Sequence, residues 1–216
     1  METILQNHSL ILKINHFWAE INSLLYKNRE IIYQKKENFW QRQSPVLFPI
    51  VGALEDNSYI FEGQTYHLWQ HGFARDMNFD LEDSNHNSAT FTLKSWPETY
   101  KKYPFDFKLS MRYIILENSI EVHYIVKNTG NTDIFFSLGI HPAFHIWTNI
   151  EQYSLVFNKN NEWQKVDRLK NGIIFQEHEE NFWDYLSEKT LQLKEKFFEK
   201  DAKNLYAIIN ASLIKN

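Results

Sequence analysis

The sequence contains no cysteine. That excludes disulfides, thiolate nucleophiles and cysteine-ligated metals together, and it fits a reducing, cytoplasmic compartment. No run approaches the roughly 18 apolar residues that a membrane helix needs. The N-terminal region lacks a basic stretch followed by an apolar one, so no secretory signal is read there. The formal net charge is -4, and no basic face of the kind that binds nucleic acid is expected. A G-x-S-x-G elbow and a phosphate-cradling glycine loop are both missing, which leaves serine hydrolases and P-loop enzymes unsupported. Helical periodicity is scarce: Glu179–Lys189 reads as a short helix, and Leu193–Lys200 adds a turn. No internal repeat, low-complexity tract or linker is found, and 158–162 reads as a polar turn.

What the chain does have is apolar and aromatic bulk. Its 216 residues are 43% hydrophobic, enough for one sizeable core, and 1–216 is read as a single domain. Seven Trp, eleven Tyr and seventeen Phe exceed what a small core needs. Most of them fit a β-sandwich interior; a few would suit a sugar site, where flat rings stack on C–H faces. Period-two alternation is clearest from Phe105 to Leu116. Phe105, Phe107, Leu109, Met111, Tyr113 and Ile115 share one face there, with Asp106, Lys108, Ser110 and Arg112 on the other. After Glu117-Asn118-Ser119 the pattern resumes with Ile120, Val122, Tyr124 and Val126 inward, which predicts a hairpin. Further strands are predicted at Ser9–Ile14, Glu20–Leu25, Arg29–Gln34, Met77–Leu81, Ala89–Ser95 and Asp133–Leu138. Tyr59–Phe61 and Thr65–Leu68 flank a tight turn at Glu62-Gly63-Gln64. The fold class is therefore all-β, an antiparallel sandwich or barrel.

Three segments carry chemistry. In the first, Trp40 to Gly52, Pro45 and Pro49 bracket an apolar run and force an irregular path; Arg42 precedes that run. In the second, Gln70-His71-Gly72-Phe73-Ala74-Arg75-Asp76, the glycine after His71 permits close backbone approach or a positive φ. In the third, Ser137 to Phe144, His141 ends a strand that Pro142 stops. Imidazoles held at such points suit proton transfer near neutrality; the other reading is a structural histidine bonded to a carbonyl. The i, i+4 pairs His67/His71 and His141/His145 suit a metal only on a helix, and Gly72 and Pro142 interrupt both, so no metal is expected. Arg42 and Arg75 suit phosphate oxygens; alternatively Arg75 pairs with Asp76 or Asp80, and Arg42 is a solvated cation.

Together the three segments resemble the aldose 1-epimerase superfamily, most closely its LacX-like branch. There an arginine precedes a segment like Ser44-Pro45-Val46-Leu47-Phe48-Pro49-Ile50-Val51-Gly52. His-Gly-Phe-Ala-Arg follows, as at His71 to Arg75, and then Gly-x-His-Pro-Ala-Phe, as at Gly139 to Phe144. The resemblance implies an antiparallel β-supersandwich and interconversion of the α and β anomers of an aldose or hexose phosphate, without a cofactor. It implies that His141 is the general acid at the ring oxygen and that His71 is a second active-site histidine bonded to the sugar nearby. Arg42, Arg75 and, by a weaker match, Asp201 become substrate-binding residues. The partner is a small sugar or sugar phosphate, with no nucleic acid and no membrane. Two departures follow. Trp18 stands where the family often has glycine before Ala19-Glu20. The family's catalytic base is a glutamate in a later Glu-Pro-Trp-like segment; Glu177, Glu179, Glu180 and Glu188 do not match it. The chain is therefore expected to lack the family's C-terminal portion, with impaired activity or sugar binding without turnover as the consequence. His71 and His141 are predicted to meet across one cleft with Arg42 at its rim.

Overall fold

The computed structural model describes residues 1–156, 168–170, 173–175, 186–187 and 190–195. The chain divides into two compact units, Met1–His145 and Ile146–Asn216. The first is built from β1 (Glu2–Gln6), β2 (Leu10–Asn15), β3 (Glu20–Tyr26), β4 (Arg29–Glu30), β5 (Val46–Leu47), β6 (Ser58–Phe61), β7 (Gln64–His67), β8 (Asp80–Ser84), β9 (Ser88–Lys94), a one-turn helix α1 (Pro97–Tyr100), β10 (Phe107–Ile115), β11 (Ile120–Asn128) and β12 (Gly139–Ile140). Two four-stranded antiparallel sheets, β1-β2-β3-β4 and β11-β10-β9-β8, dominate it. Their inner faces share one core, in which Leu5, Leu12 and Ile14 of the first sheet join Phe91, Leu109, Met111 and Tyr113 of the second. This is an all-β sandwich.

Alternation explains the longest strands. On β10 the predicted inner residues Phe107, Leu109, Met111, Tyr113 and Ile115 are all buried, as is Phe105 just before it. Ser110, predicted outward, is buried too, although Arg112 on the same face is exposed. β10 pairs with β11 over its whole length, Ile115 opposite Ile120, so the short polar loop at 117–119 closes a hairpin. The β6–β7 hairpin turns at Glu62 and Gly63, at φ 49° and 78°; two successive left-handed residues match the twist of the strands they join.

Other expectations are corrected. Asp133–Leu138 is not a strand, and only Gly139–Ile140 forms a ladder, pairing with β5. The neighbour of 133–138 is the proline-bracketed segment, and Pro49 has no N–H to continue a ladder. What forms instead is a pair of irregular bonds, Ser137 N–H to the Pro49 carbonyl and Val51 N–H to Ser137 Oγ. Met77–Leu81 shifts to Asp80–Ser84, and Arg29–Gln34 shrinks to a two-residue strand. Glu30 explains the latter. Its carboxylate accepts from the backbone of Leu24 and Ile32 and from Ser23 Oγ, replacing ladder bonds with side-chain ones.

The second unit contains β13 (Ser154–Val156), β14 (Arg168–Lys170), β15 (Ile173–Phe175), β16 (Leu186–Ser187) and β17 (Thr190–Gln192). β17 pairs with both β13 and β16. Residues 186–187 are therefore strand, where a helix over Glu179–Lys189 was expected. Antiparallel pairing with β17 satisfies the backbone there, and the rest of that predicted helix lies outside the described residues, as does the turn at 158–162. Of the predicted turn at Leu193–Lys200, only 193–195 is described. Among the described residues no helix is long and apolar enough to cross a membrane.

Candidate functional site

The proline-bracketed segment is the spine of the site. β5 pairs with β12 through Leu47–Gly139 and Val46–Ile140. The pairing extends outward as His141 N–H donates to the Pro45 carbonyl and Ala143 N–H to that of Gln43. On the other side Phe48 bridges to Gly72, and its carbonyl accepts from the N–H groups of Phe73 and Ala74. One short stretch of main chain thus holds the second and third motifs side by side.

His71 is fixed unusually tightly. Its backbone is left-handed, at φ 68°, a conformation that costs a residue with a Cβ about 1–2 kcal/mol. Two bonds to Gly52 hold it there. His71 N–H donates to the Gly52 carbonyl at 2.7 Å, and Gly52 N–H donates to His71 Nδ1 at 3.0 Å. Because a backbone N–H can only donate, Nδ1 is committed as an acceptor. The neutral ring therefore carries its proton on Nε2. Burial lowers the His71 pKa to about 4, with the charges of Arg75, His141 and Arg42 adding to the effect. At neutral pH His71 is an uncharged Nε2–H donor.

His141 stands beside it. The two ring centroids are 6.4 Å apart with planes at 70°. His141 also meets Trp40, at 4.9 Å and 43°. Trp40 is 36% exposed, so part of this aromatic residue is open to solvent next to the imidazole. Trp40 received no role from the sequence. The available signal was a large aromatic two residues before Arg42, in a stretch too irregular for core packing to explain it.

Both arginines are tied to neighbouring groups. Asp76 pairs with Arg42, whose Nη2 donates to Asp76 Oδ1 at 2.6 Å while its Nη1 donates to the Arg75 carbonyl at 2.7 Å. Arg75, proposed as the partner of Asp76 or Asp80, instead donates through Nη2 to the Gln70 carbonyl at 2.6 Å. Arg42 thereby ties the first motif to the second and lies over the Trp18 indole, 5.6 Å from its centroid. Trp18 itself has φ 79°, which accounts for the glycine that the resemblance led one to expect there. Asp201 lies outside the described residues. The structure thus brings His71, His141, Arg42 and Arg75 together within the first unit. Among the described residues, no group of three or more His, Asp or Glu side chains could hold a metal ion.

The family model for aldose 1-epimerase matches residues 2–208. The chain belongs to the aldose 1-epimerase family. Within it, the plasmid and chromosomal LacX proteins of Lactococcus lactis subsp. lactis are each 32% identical over 167 residues, 72% of this chain. The chain spans 56% of the length of these curated relatives. Among solved structures, a galactose mutarotase related enzyme from Lactobacillus acidophilus is 32% identical with a TM-score of 0.78, covering 92% of this chain and 67% of the other. A galactose mutarotase-like protein from Lactobacillus casei is 29% identical with the same TM-score, covering 89% and 67%. The residues matched by the family model take in both four-stranded sheets and all three motifs.

Proposed function

We propose that this aldose 1-epimerase family member binds an aldose between its two imidazoles and interconverts the α and β anomers by opening and reclosing the ring. In this reading His141 gives a proton to the ring oxygen as the C1–O5 bond breaks. The anomeric hydroxyl loses its proton to a base, and C1 becomes an aldehyde. Rotation about C1–C2 presents the other carbonyl face, and reclosure reverses the proton transfers. The resemblance assigns the base to a glutamate, and none of the described residues is given that role. His71 does not serve as an acid here. Held neutral, it donates its Nε2–H to a sugar oxygen and keeps the ring oxygen within reach of His141. Trp40 offers the flat surface on which a pyranose C–H face stacks. Positioned acid and base groups each supply roughly 10²–10⁴-fold, and no cofactor enters.

The observation that carries the proposal is the fixed tautomer of His71 beside His141. A histidine buried only for packing has no need of a left-handed backbone and two bonds to one glycine. Arg42 favours a neutral aldose over a phosphorylated one, because Asp76 already matches its charge; a phosphate would compete with that carboxylate.

The test is NMR exchange spectroscopy with α-glucose, α-galactose and a hexose 6-phosphate. The expected result is faster anomer exchange with a neutral aldose, lost in His141→Ala. Shifts induced by sugar without faster exchange would make the protein a carbohydrate-binding one. Neither binding nor acceleration with any aldose refutes the proposal.

A further inference from the structure

Glu20 holds the stretch of main chain to which the backbone of His141 is bonded. It is the first residue of β3 and is only 1% exposed. The corner leading to it is left-handed twice over, with Trp18 at φ 79° and Ala19 at φ 48°. Non-glycine residues hold such angles only where surrounding structure enforces them. Here Tyr113 Oη, reaching from β10, donates to the Ala19 carbonyl at 2.5 Å. The corner aims the Glu20 carboxylate at the chain immediately after Arg42. Its Oε1 accepts from Gln43 N–H at 2.5 Å and from Ser44 N–H at 2.7 Å. Ser44 returns the contact, its Oγ accepting from Ile21 N–H and donating to the Ile21 carbonyl. Oε2 faces the Lys35 ammonium at 3.9 Å.

The opposite edge of the same three residues carries the third motif. The Gln43 carbonyl accepts from Ala143 N–H at 2.7 Å, and the Pro45 carbonyl accepts from His141 N–H at 3.1 Å. Residues 43–45 are therefore held by Glu20 on one edge and hold His141 on the other, with Arg42 at their start. Without the carboxylate, two backbone donors in a buried setting lose their acceptor, and the segment must move to find others.

We infer that Glu20 is a positioning residue of the sugar site, fixing Arg42 and His141 through the backbone of Gln43 to Pro45. The inference rests on the function proposed above for what is being positioned. The contacts themselves do not depend on it. Glutamine keeps an oxygen at the end of a side chain of equal length and can accept from both amides. Aspartate is one methylene short and alanine has no acceptor.

The experiment compares Glu20→Gln, Glu20→Asp and Glu20→Ala in the full chain. Three measurements are made: the His141 ring signals by NMR, hydrogen exchange at the amides of His141 and Ala143, and kcat and KM for anomer exchange. In Glu20→Ala the His141 signals shift and the two amides exchange faster, while Phe91 and Leu109 in the sandwich core keep their protection. Its kcat/KM falls on the order of 10- to 100-fold, the scale of a displacement near 1 Å, and Glu20→Gln restores most of this. A folded Glu20→Ala with unchanged His141 signals overturns the inference. So does equal loss of protection at His141 and in the core, which would make Glu20 merely structural. If alanine prevents folding, aspartate replaces it in the comparison, and identical His141 signals in the Gln and Asp variants overturn the inference. If the wild type turns over no sugar, the proposed function fails while the NMR measurements still decide the role of Glu20.

Discussion

The neutrality of His71 has a measurable thermodynamic consequence. In the unfolded chain the ring has an ordinary pKa of 6.5, and in the folded protein the value falls to about 4. Between these values the unfolded state holds the proton and the native state does not. Acidification therefore favours unfolding, and the stability that neutral His71 contributes above pH 6.5 is lost as pH falls toward 4. Applying the two values at pH 7 and pH 5 gives a loss of about 2 kcal/mol, rising to about 3 kcal/mol below pH 4. The substitution that isolates this effect is His71→Asn. Asparagine tolerates a left-handed backbone, and its side-chain oxygen can accept the Gly52 N–H that Nδ1 accepts now, but it does not titrate. Urea unfolding of both proteins at pH 7 and pH 5 supplies the comparison. The wild type should lose about 2 kcal/mol more than the variant over that interval, since other titrating groups are common to both and cancel. Equal pH dependence, to within about 0.5 kcal/mol, would refute the reasoning. An NMR titration placing the His71 ring near 6.5 would refute it independently.

Three further outcomes are expected. His141→Gln should reduce the rate of anomer exchange by about 100-fold or more while sugar affinity changes little, because the titratable proton donor is lost while a polar side chain remains in its place; unchanged exchange rates would remove His141 from the chemistry. Gly72→Ala should destabilise the fold by about 3 kcal/mol, measured as a lower urea midpoint. A Cβ there would lie 2.3 Å from the Phe48 carbonyl oxygen, on a backbone already at φ 69°. Arg42→Lys should weaken aldose binding about tenfold by calorimetry, since an ammonium cannot reproduce two directed bonds from one planar group. It should cost under about 1 kcal/mol of stability, because Asp76 is half exposed and the ion pair is screened by solvent.

Local pattern carried much of the fold into view. The alternation on β10 and β11 gave strand, face and hairpin together, because a strand's inward set depends only on its own period of two. Where bonding partners matter more than pattern, the alternation misled. Residues 133–138 alternate between exposed and half-buried, yet they form no ladder, since the neighbouring segment lacks an N–H at Pro49 and bonds irregularly. Proximity in sequence offered Asp76 or Asp80 to Arg75 as one of two readings, and Arg42 takes the Asp76 carboxylate from a distant loop. Glu20 read only as the start of a strand; its bonds to Gln43 and Ser44 join segments that nothing in the sequence links.

The sequence by itself determined that the chain is all-β and placed Arg42, His71, Arg75 and His141 in three motifs whose order points to one family. It did so because side-chain period and proline or glycine punctuation are local properties. Only the tertiary structure decided that the two imidazoles lie 6.4 Å apart, that His71 carries its proton on Nε2, and that Arg42 rather than Arg75 meets Asp76. Those facts depend on which backbone edges meet when the two sheets close on their common core, and chain closure over such separations leaves no trace in any window of residues.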